Sequence, residues 1–214
     1  MARLGPLYIL EFYEIKVMKV LVLLDGKEIG SIESQQNYIV DLKKHISKAS
    51  TQGRVLQTVT INGLSIDNWE EVLANTPFGN IKEVNLITIP INQALAETIT
   101  SALEYLPQLE ETLENTATLI QQGQEKEVGP VINRVIDGLE WYVQLLANIQ
   151  TLLEPSKTDR LNSMNTQLGK LVTAWENQDF SLVADLLRYE LVPELSSGRR
   201  WLGEEVLPQT TCLH

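Results

Sequence analysis

Histidine and cysteine, which often serve as nucleophiles, general bases and metal ligands, are rare in this sequence. The histidines are His45 and His214, and the one cysteine is Cys212. His45 has no second ligand at i+3 or i+4, so we expect no metal site. The sequence contains no glycine-rich phosphate-binding loop and no nucleophile elbow. These residue types therefore predict no cofactor and no enzyme activity of a familiar class.

Clustered carboxylates are the remaining candidates for catalysis. Glu110, Glu111 and Glu114 form one cluster, and Glu204 and Glu205 form another. General acid–base catalysis requires one such group to be desolvated with a raised pKa. On amphipathic helices, runs of carboxylates usually form the hydrated face. An enzyme with a carboxylate site at the junction of the two halves of the chain is kept as an alternative.

Aromatic side chains in the second half suggest a binding surface, because aromatic residues are enriched among the anchors of protein interfaces. In the Trp141-Tyr142 pair, only one ring can belong to a helical core stripe. We assign Tyr142 to the core and expect Trp141 to flank it, partly covered by the third helix or the C-terminal tail. The candidate partner-binding residues are Trp141, Trp175, Tyr189 and Trp201.

The elements that must position these aromatics are helices, as an apolar stripe at intervals of four and three residues shows. Three similar stripes lie between residues 91 and 195, and the connections between them are short. Short connections make successive helices antiparallel neighbours, so residues 91–195 predict an antiparallel four-helix bundle. The longest stripe comprises Val128, Ile132, Val135, Leu139, Tyr142, Leu146, Ile149 and Leu153.

Prolines limit these predicted helices. Proline lacks the N–H donor and crowds the preceding turn, so Pro107 should kink or divide the first helix. Pro130 is tolerable only in the first turn of the second helix, and Pro193 should bend or stop the fourth. Beyond it, we expect residues 196–214 to form an irregular tail that docks on the bundle.

The first half has the patterns of a small sheet with one helix. Asp25-Gly26 and Asn62-Gly63 each follow a run of strand-forming residues, and such pairs favour type I′ hairpin turns. A helical stripe from Tyr38 to Ala49 lies between the two hairpins. We therefore predict an α+β chain in which residues 18–89 form a mixed sheet of order β-β-α-β-β-β, and residues 1–17 are an extension outside it.

Two resemblances follow from these patterns. The order of elements in residues 18–89 resembles the β-grasp, or ubiquitin-like, fold, which implies one helix across a mixed sheet and selects no single function. The segment Leu187-Arg-Tyr-Glu-Leu-Val-Pro193 is similar to the last helix of uncharacterised bacterial helical-bundle proteins, for which no activity is implied. In architecture, an acidic antiparallel bundle is also similar to flagellar and secretion export chaperones, which wrap a client's helix.

The net charge of the chain limits the kinds of partner that it can bind. The net charge is −11, and residues 91–214 carry 18 acidic side chains against 8 basic ones. Such a surface repels phosphate backbones, so we expect no nucleic acid partner. With one cysteine, no signal peptide and no membrane span, the sequence predicts a cytoplasmic protein. We interpret it as a non-enzymatic protein-interaction module, an adaptor or chaperone that binds a partner helix or segment; the alternative is a homodimeric assembly protein.

Overall fold

A computed structural model describes residues 19–33, 38–152 and 159–210. The chain divides into two compact units, with the boundary between Pro90 and Ile91. The first contains a five-stranded mixed sheet and the second is helical, as expected for an α+β chain. The predicted extension 1–17, Leu153 of the long stripe, Cys212 and His214 lie outside the described residues.

The first unit follows the predicted order of strands and helix. In the sheet, the strand order is β2-β1-β5-β3-β4; β1 and β5 are parallel, and the other neighbours are antiparallel. A short second helix and a 3₁₀ turn (Phe78–Asn80) precede the last strand. The elements are β1 (Val20–Leu24), β2 (Lys27–Ile32), α1 (Tyr38–Ser50), β3 (Arg54–Ile61), β4 (Leu64–Ile66), α2 (Trp69–Asn75) and β5 (Glu83–Pro90).

Both predicted hairpin turns are confirmed. Asp25 and Gly26 have φ angles of 51° and 77°, and Asn62 and Gly63 have φ angles of 52° and 82°. Two consecutive left-handed residues are the signature of a type I′ turn, whose twist matches that of the flanking strands. The two turns connect β1 to β2 and β3 to β4.

In a regular strand, side chains alternate between the two faces of the sheet, and β3 departs from this alternation at one residue. The alternation would have placed Val55, Gln57 and Val59 on one face, but the pairing of β3 with β5 shifts between Leu56 and Thr58. Gln57 is exposed at this bulge, while Leu56 packs against the same core as Val59. A β-bulge inserts one extra residue and so exchanges the faces on either side of it.

The described residues of the second unit form four successive helical segments. The first packs against the second and the fourth, and the third packs against the second and the fourth. Every described residue of the long predicted stripe, from Val128 to Ile149, is at most 1% exposed, which confirms that stripe as core. The segments are α3 (Ile91–Gln121), α4 (Glu125–Leu152), α5 (Asp159–Glu176) and Phe180–Thr210, which contains α6 (Phe180–Asp185), α7 (Val192–Trp201) and α8 (Leu207–Thr210).

The prolines interrupt the helices less than predicted. The α3 helix continues through Pro107, and Pro130 lies in the second turn of α4 rather than in the first. An interior proline costs a helix about 3 kcal/mol or more. The fully buried side chains on either side of each proline, such as Leu106 and Ile132, offset that cost by packing.

The expected irregular tail is also wrong, because residues 196–210 are helical. Pro193 does not end the fourth segment, since a π-helical turn, Leu186–Leu191, precedes it. A second π turn, Leu202–Val206, precedes Pro208 in the same way.

In each π turn, the residue before the proline donates its N–H to the carbonyl five residues back. Val192 donates to Leu187, and Leu207 donates to Leu202. In a regular α-helix, the proline ring clashes with the carbonyl four residues before it. The wider π turn relieves that clash, so the chain passes both prolines without leaving the helix.

Candidate functional site

An open groove of about 530 Å³ lies on the surface of the helical unit between α3 and α4. We call it the α3–α4 groove. Its residues on each helix are spaced three and four apart, so each helix contributes one face. The lining residues are Ser101 and Tyr105 of α3 and Arg134, Asp137, Gly138 and Trp141 of α4.

An aromatic pair forms the apolar part of this groove. The ring centroids of Tyr105 and Trp141 are 5.4 Å apart, and the ring planes meet at 82°. This edge-to-face arrangement is favourable by about 0.5–1.5 kcal/mol beyond the burial of the two rings. Tyr105 and Trp141 nevertheless remain 37% and 38% exposed. The groove therefore presents two large, positioned aromatic surfaces to solvent.

Gly138 makes this arrangement possible. A Cβ atom at position 138 would lie 2.5 Å from the Tyr105 hydroxyl oxygen and 3.0 Å from a methyl carbon of Leu109. The absence of that Cβ lets Tyr105 extend across α4 beside Trp141. A glycine inside a helix costs about 1 kcal/mol relative to alanine. Here that cost accompanies a close approach of α3 and α4.

Two opposite charges complete the lining. Arg134 and Asp137 are exposed one turn apart on α4. Among the described residues, neither has an ion-pair partner within 4.0 Å. Both side chains are therefore accessible to a ligand in the groove.

The structure separates the four predicted binding residues. Trp141 lines the α3–α4 groove, whereas Trp175 of α5 is half-buried and packs edge-on against Phe180. Tyr189 lies on the first π turn and is 63% exposed. Trp201, at the end of α7, is half-buried beneath the Arg160 guanidinium, 5.6 Å from its ring centroid.

We expected Trp141 to be partly covered by the third helix or the C-terminal tail. The ring contact that the structure gives it is with Tyr105 of α3. Tyr105 was missed, although a signal exists in the sequence. Tyr105 directly precedes the core residue Leu106, as Trp141 directly precedes the core residue Tyr142. Both rings thus flank core stripes on neighbouring helices.

A second cluster, inside the helical unit, lies around Tyr142. The Tyr142 hydroxyl is buried and has no hydrogen-bond partner among the described residues, and a Cβ on Gly198 would overlap its oxygen. Burial raises the pKa of Tyr142 far above its usual value of 10.0; the Arg160 charge opposes this shift and Glu194 adds to it. Arg160 donates to Glu194 Oε1 and Ser197 Oγ, both at 3.0 Å. The Arg160 contacts join α5 to α7. Burial keeps Tyr142 protonated, so Tyr142 is unsuited to act as a base.

A third polar cluster, in the first unit, fixes the β1–β2 turn. Asp25 accepts hydrogen bonds from the Thr88 N–H at 2.7 Å and the Thr88 hydroxyl at 2.9 Å, and Arg54 lies 3.2 Å away. Burial alone would raise the pKa of Asp25, but the Thr88 hydrogen bonds and the Arg54 charge outweigh it and hold the pKa below 3.8. These contacts tie the β1–β2 turn to β3 and β5, which indicates a structural role.

No three His, Cys, Asp or Glu side chains within residues 19–33, 38–152 and 159–210 are grouped so as to hold a metal ion. In the same ranges, no helix combines the length and apolarity that crossing a membrane requires. In the first of the two glutamate clusters, Glu110 forms an ion pair with Arg199 at 3.1 Å.

Residues 97–199 are similar to a protein family described as "Domain of unknown function (DUF8042)". The matched segment begins in α3 and ends in α7, so it includes all six lining residues of the α3–α4 groove. No curated protein and no solved structure matches the chain.

Proposed function

We propose that this chain is a non-enzymatic protein-interaction module, an adaptor or chaperone, whose α3–α4 groove receives a segment of a partner protein. One observation carries the proposal: Tyr105 and Trp141 are held edge-to-face yet remain more than a third exposed. Large aromatic residues in pre-formed depressions are typical anchors of protein interfaces. Because their positions are already fixed, binding costs little side-chain entropy.

The dimensions of the groove suit a short segment. From Arg134 to Trp141, the α4 face rises about 10 Å, at about 1.5 Å per residue. That length equals about two turns of a partner helix. A helix lying in such a groove needs a few apolar anchors and a polar rim, both of which the α3–α4 groove supplies.

The same proposal includes the finer architecture. In the first unit, the strand order β2-β1-β5-β3-β4 with a parallel central pair supports a β-grasp fold. In the second, the four successive helical segments and their pairwise packing support an antiparallel four-helix bundle. On this view, the sheet unit is a separate folded module and the bundle carries the docking surface, in a cytoplasmic protein.

Photochemical crosslinking tests the proposed docking site. A photoreactive benzoylphenylalanine replaces Ser101, at the rim of the groove, in the full chain expressed in cells. We expect a discrete adduct with another polypeptide that is lost when Trp141→Ala is added. The matched control carries the same photoreactive residue in place of Asn165, which is exposed on α5.

The proposal fails if the same adduct forms from position 165, or if it persists in the Trp141→Ala variant. An adduct with twice the mass of the chain would instead support the homodimeric alternative. Because Trp141 is on the surface, its replacement by alanine should leave the helical circular dichroism signal unchanged.

A further inference from the structure

Several arginines of the helical unit are engaged in contacts between its own helices. Arg160 pairs with Glu194 at 3.0 Å, and Arg199 pairs with Glu110 at 3.1 Å. Arg188 donates to the Thr118 hydroxyl at 2.7 Å and to Gln121. Because acidic residues outnumber basic ones by 18 to 8 in residues 91–214, the surrounding field is negative. Such a field attracts cationic segments and repels acidic ones.

Two further carboxylates lie on the exposed surface of the same two helices. Glu104 and Glu140 each immediately precede one of the two rings in sequence, and both are exposed without an ion-pair partner among the described residues. Asp137 lines the groove itself. The faces of tyrosine and tryptophan attract cations, and the aliphatic stem of lysine or arginine packs well on apolar surface.

We infer that the segment bound in the α3–α4 groove is basic. A lysine or arginine side chain of the partner lies along the Tyr105 and Trp141 rings and brings its charge to the Asp137 carboxylate. This inference rests on the proposed function, and it specifies the chemistry of the partner. The net negative charge of residues 91–214 disfavours both nucleic acid and an acidic protein segment as the occupant.

Arg134 gives the inference a direction that can be tested. It lines the same groove one turn from Asp137 and opposes a cationic ligand. Removing Asp137's charge should therefore weaken binding of a basic segment, while removing Arg134's charge should strengthen it. For an acidic occupant, both signs reverse.

Titration with short synthetic peptides tests these signs on the full chain. The probes are acetyl-Gly-Lys-Leu-Lys-Leu-Lys-Gly-amide and its counterparts with Glu or Gln in place of Lys. Binding is followed at the indole N–H resonance of Trp141, which is assigned with the Trp141→Phe variant. We expect the lysine peptide to shift this resonance with an affinity at least tenfold above that of the glutamate peptide, and the difference to shrink as salt rises.

The variants measure the local contribution. Asp137→Asn should weaken the lysine peptide by a factor of about two to five, and Arg134→Gln should strengthen it by a similar factor, as expected for exposed charge pairs. Asp185→Asn, on α6, removes an exposed carboxylate outside the groove and is the matched control. Its effect should be smaller than that of Asp137→Asn.

Three results would overturn the inference: tighter binding of the glutamate peptide, equal effects of Asp137→Asn and Asp185→Asn, or no response of Trp141 to any peptide. If Trp141 responds to no peptide but the crosslinked adduct at position 101 still forms, the proposed interaction module stands and only the inference of a basic partner is wrong. A Trp141 resonance that shifts with protein concentration alone would assign the groove to a second copy of the chain.

Discussion

Two tyrosines of the helical unit meet a glycine on a neighbouring helix, with opposite results. Tyr105 of α3 reaches the backbone of α4 at Gly138, and Tyr142 of α4 reaches the backbone of α7 at Gly198. The contact of Tyr105 with Gly138 borders an open groove, in which the Tyr105 side chain is 37% exposed. The second is sealed, because Tyr142 has no exposed surface and its hydroxyl lacks a partner.

The difference shows that a glycine contact does not by itself define a role. At Gly198, the missing Cβ makes room for a side chain that the core needs for packing. At Gly138, it makes room for a ring that remains accessible next to Trp141. The surroundings of each tyrosine therefore decide whether the contact serves stability or binding, and substitutions at the two glycines should separate these effects.

Gly198→Ala should have the largest effect. The added Cβ overlaps the Tyr142 hydroxyl oxygen, and burial leaves that ring no space in which to retreat. We expect the free energy of unfolding of the helical unit to fall by about 2 kcal/mol or more, even though alanine favours the helix by about 1 kcal/mol. Urea unfolding followed by circular dichroism at 222 nm measures this loss.

The Tyr142→Phe background gives the decisive comparison for Gly198→Ala. Without the hydroxyl, the nearest atom to the new Cβ is Cζ at 3.0 Å, so part of the lost stability should return. Gly203→Ala is the matched control, because its Cβ would meet Leu103 at an ordinary 3.6 Å. Additive effects of the two substitutions would refute the contact between Tyr142 and Gly198.

Gly138→Ala should affect binding more than stability. Its Cβ displaces the far end of the half-exposed Tyr105, which can rotate into solvent, and crowds a methyl group of the buried Leu109 at 3.0 Å. We expect the free energy of unfolding to change by less than about 1 kcal/mol, because the gain in helix propensity offsets the local crowding. The edge-to-face pair should break, and affinity for the lysine peptide should fall.

Gly169→Ala is the control for Gly138→Ala, since a Cβ at position 169 meets nothing within 4 Å. It should stabilise α5 by up to about 1 kcal/mol and leave binding unchanged. Equal affinities of the Gly138→Ala and Gly169→Ala variants would show that the position of Tyr105 does not matter for the groove.

Much of the fold could be predicted because its signals are local. The φ angles at Asp25-Gly26 and Asn62-Gly63 depend on the turn residues themselves. The spacing of the apolar residues from Val128 to Ile149 directly indicates which face of the helix is buried. Each of these signals is complete within a few residues, so no knowledge of the neighbouring elements is needed.

The predictions were wrong where contacts with neighbouring elements determine the local structure. Taken by itself, Pro193 predicts the end of a helix. The Leu186–Leu191 π turn and the packing around it allow the helix to continue. A signal for the continuation was available, because Leu195, Leu202 and Val206 keep the spacing of one helical face. Periodicity over a long segment was therefore a better guide than a single proline.

The candidate site was half-predicted for the same reason. Trp141 could be selected from its place beside the core residue Tyr142, but its partner Tyr105 lies 36 positions earlier. Which α3 residue faces Trp141 depends on the register of α3 against α4. The close contact of Tyr105 with Gly138 belongs to that register, and no local pattern encodes it.

Tyr142→Phe should have the smallest effect at neutral pH and a distinctive one at high pH. A buried hydroxyl without a partner does not stabilise the fold, so its removal should change the free energy of unfolding by about 1 kcal/mol or less, in the stabilising direction. Because burial raises the pKa of Tyr142 above its unfolded value of 10.0, the native state retains a proton that the unfolded state loses. The stability of the parent chain should therefore fall as pH rises above 10, and the variant should lose less.

Unfolding midpoints at pH 7, 9 and 11 measure this difference between the parent chain and the Tyr142→Phe variant. Tyr105→Phe is the matched control, since it removes a hydroxyl from the half-exposed member of the comparison. The advantage of Tyr142→Phe over the parent chain should be small at pH 7, grow only at the highest pH and exceed that of the control there. If Tyr142→Phe instead destabilised the chain at pH 7, the Tyr142 hydroxyl would have to make a hydrogen bond in solution, and the core contact would be polar rather than purely steric.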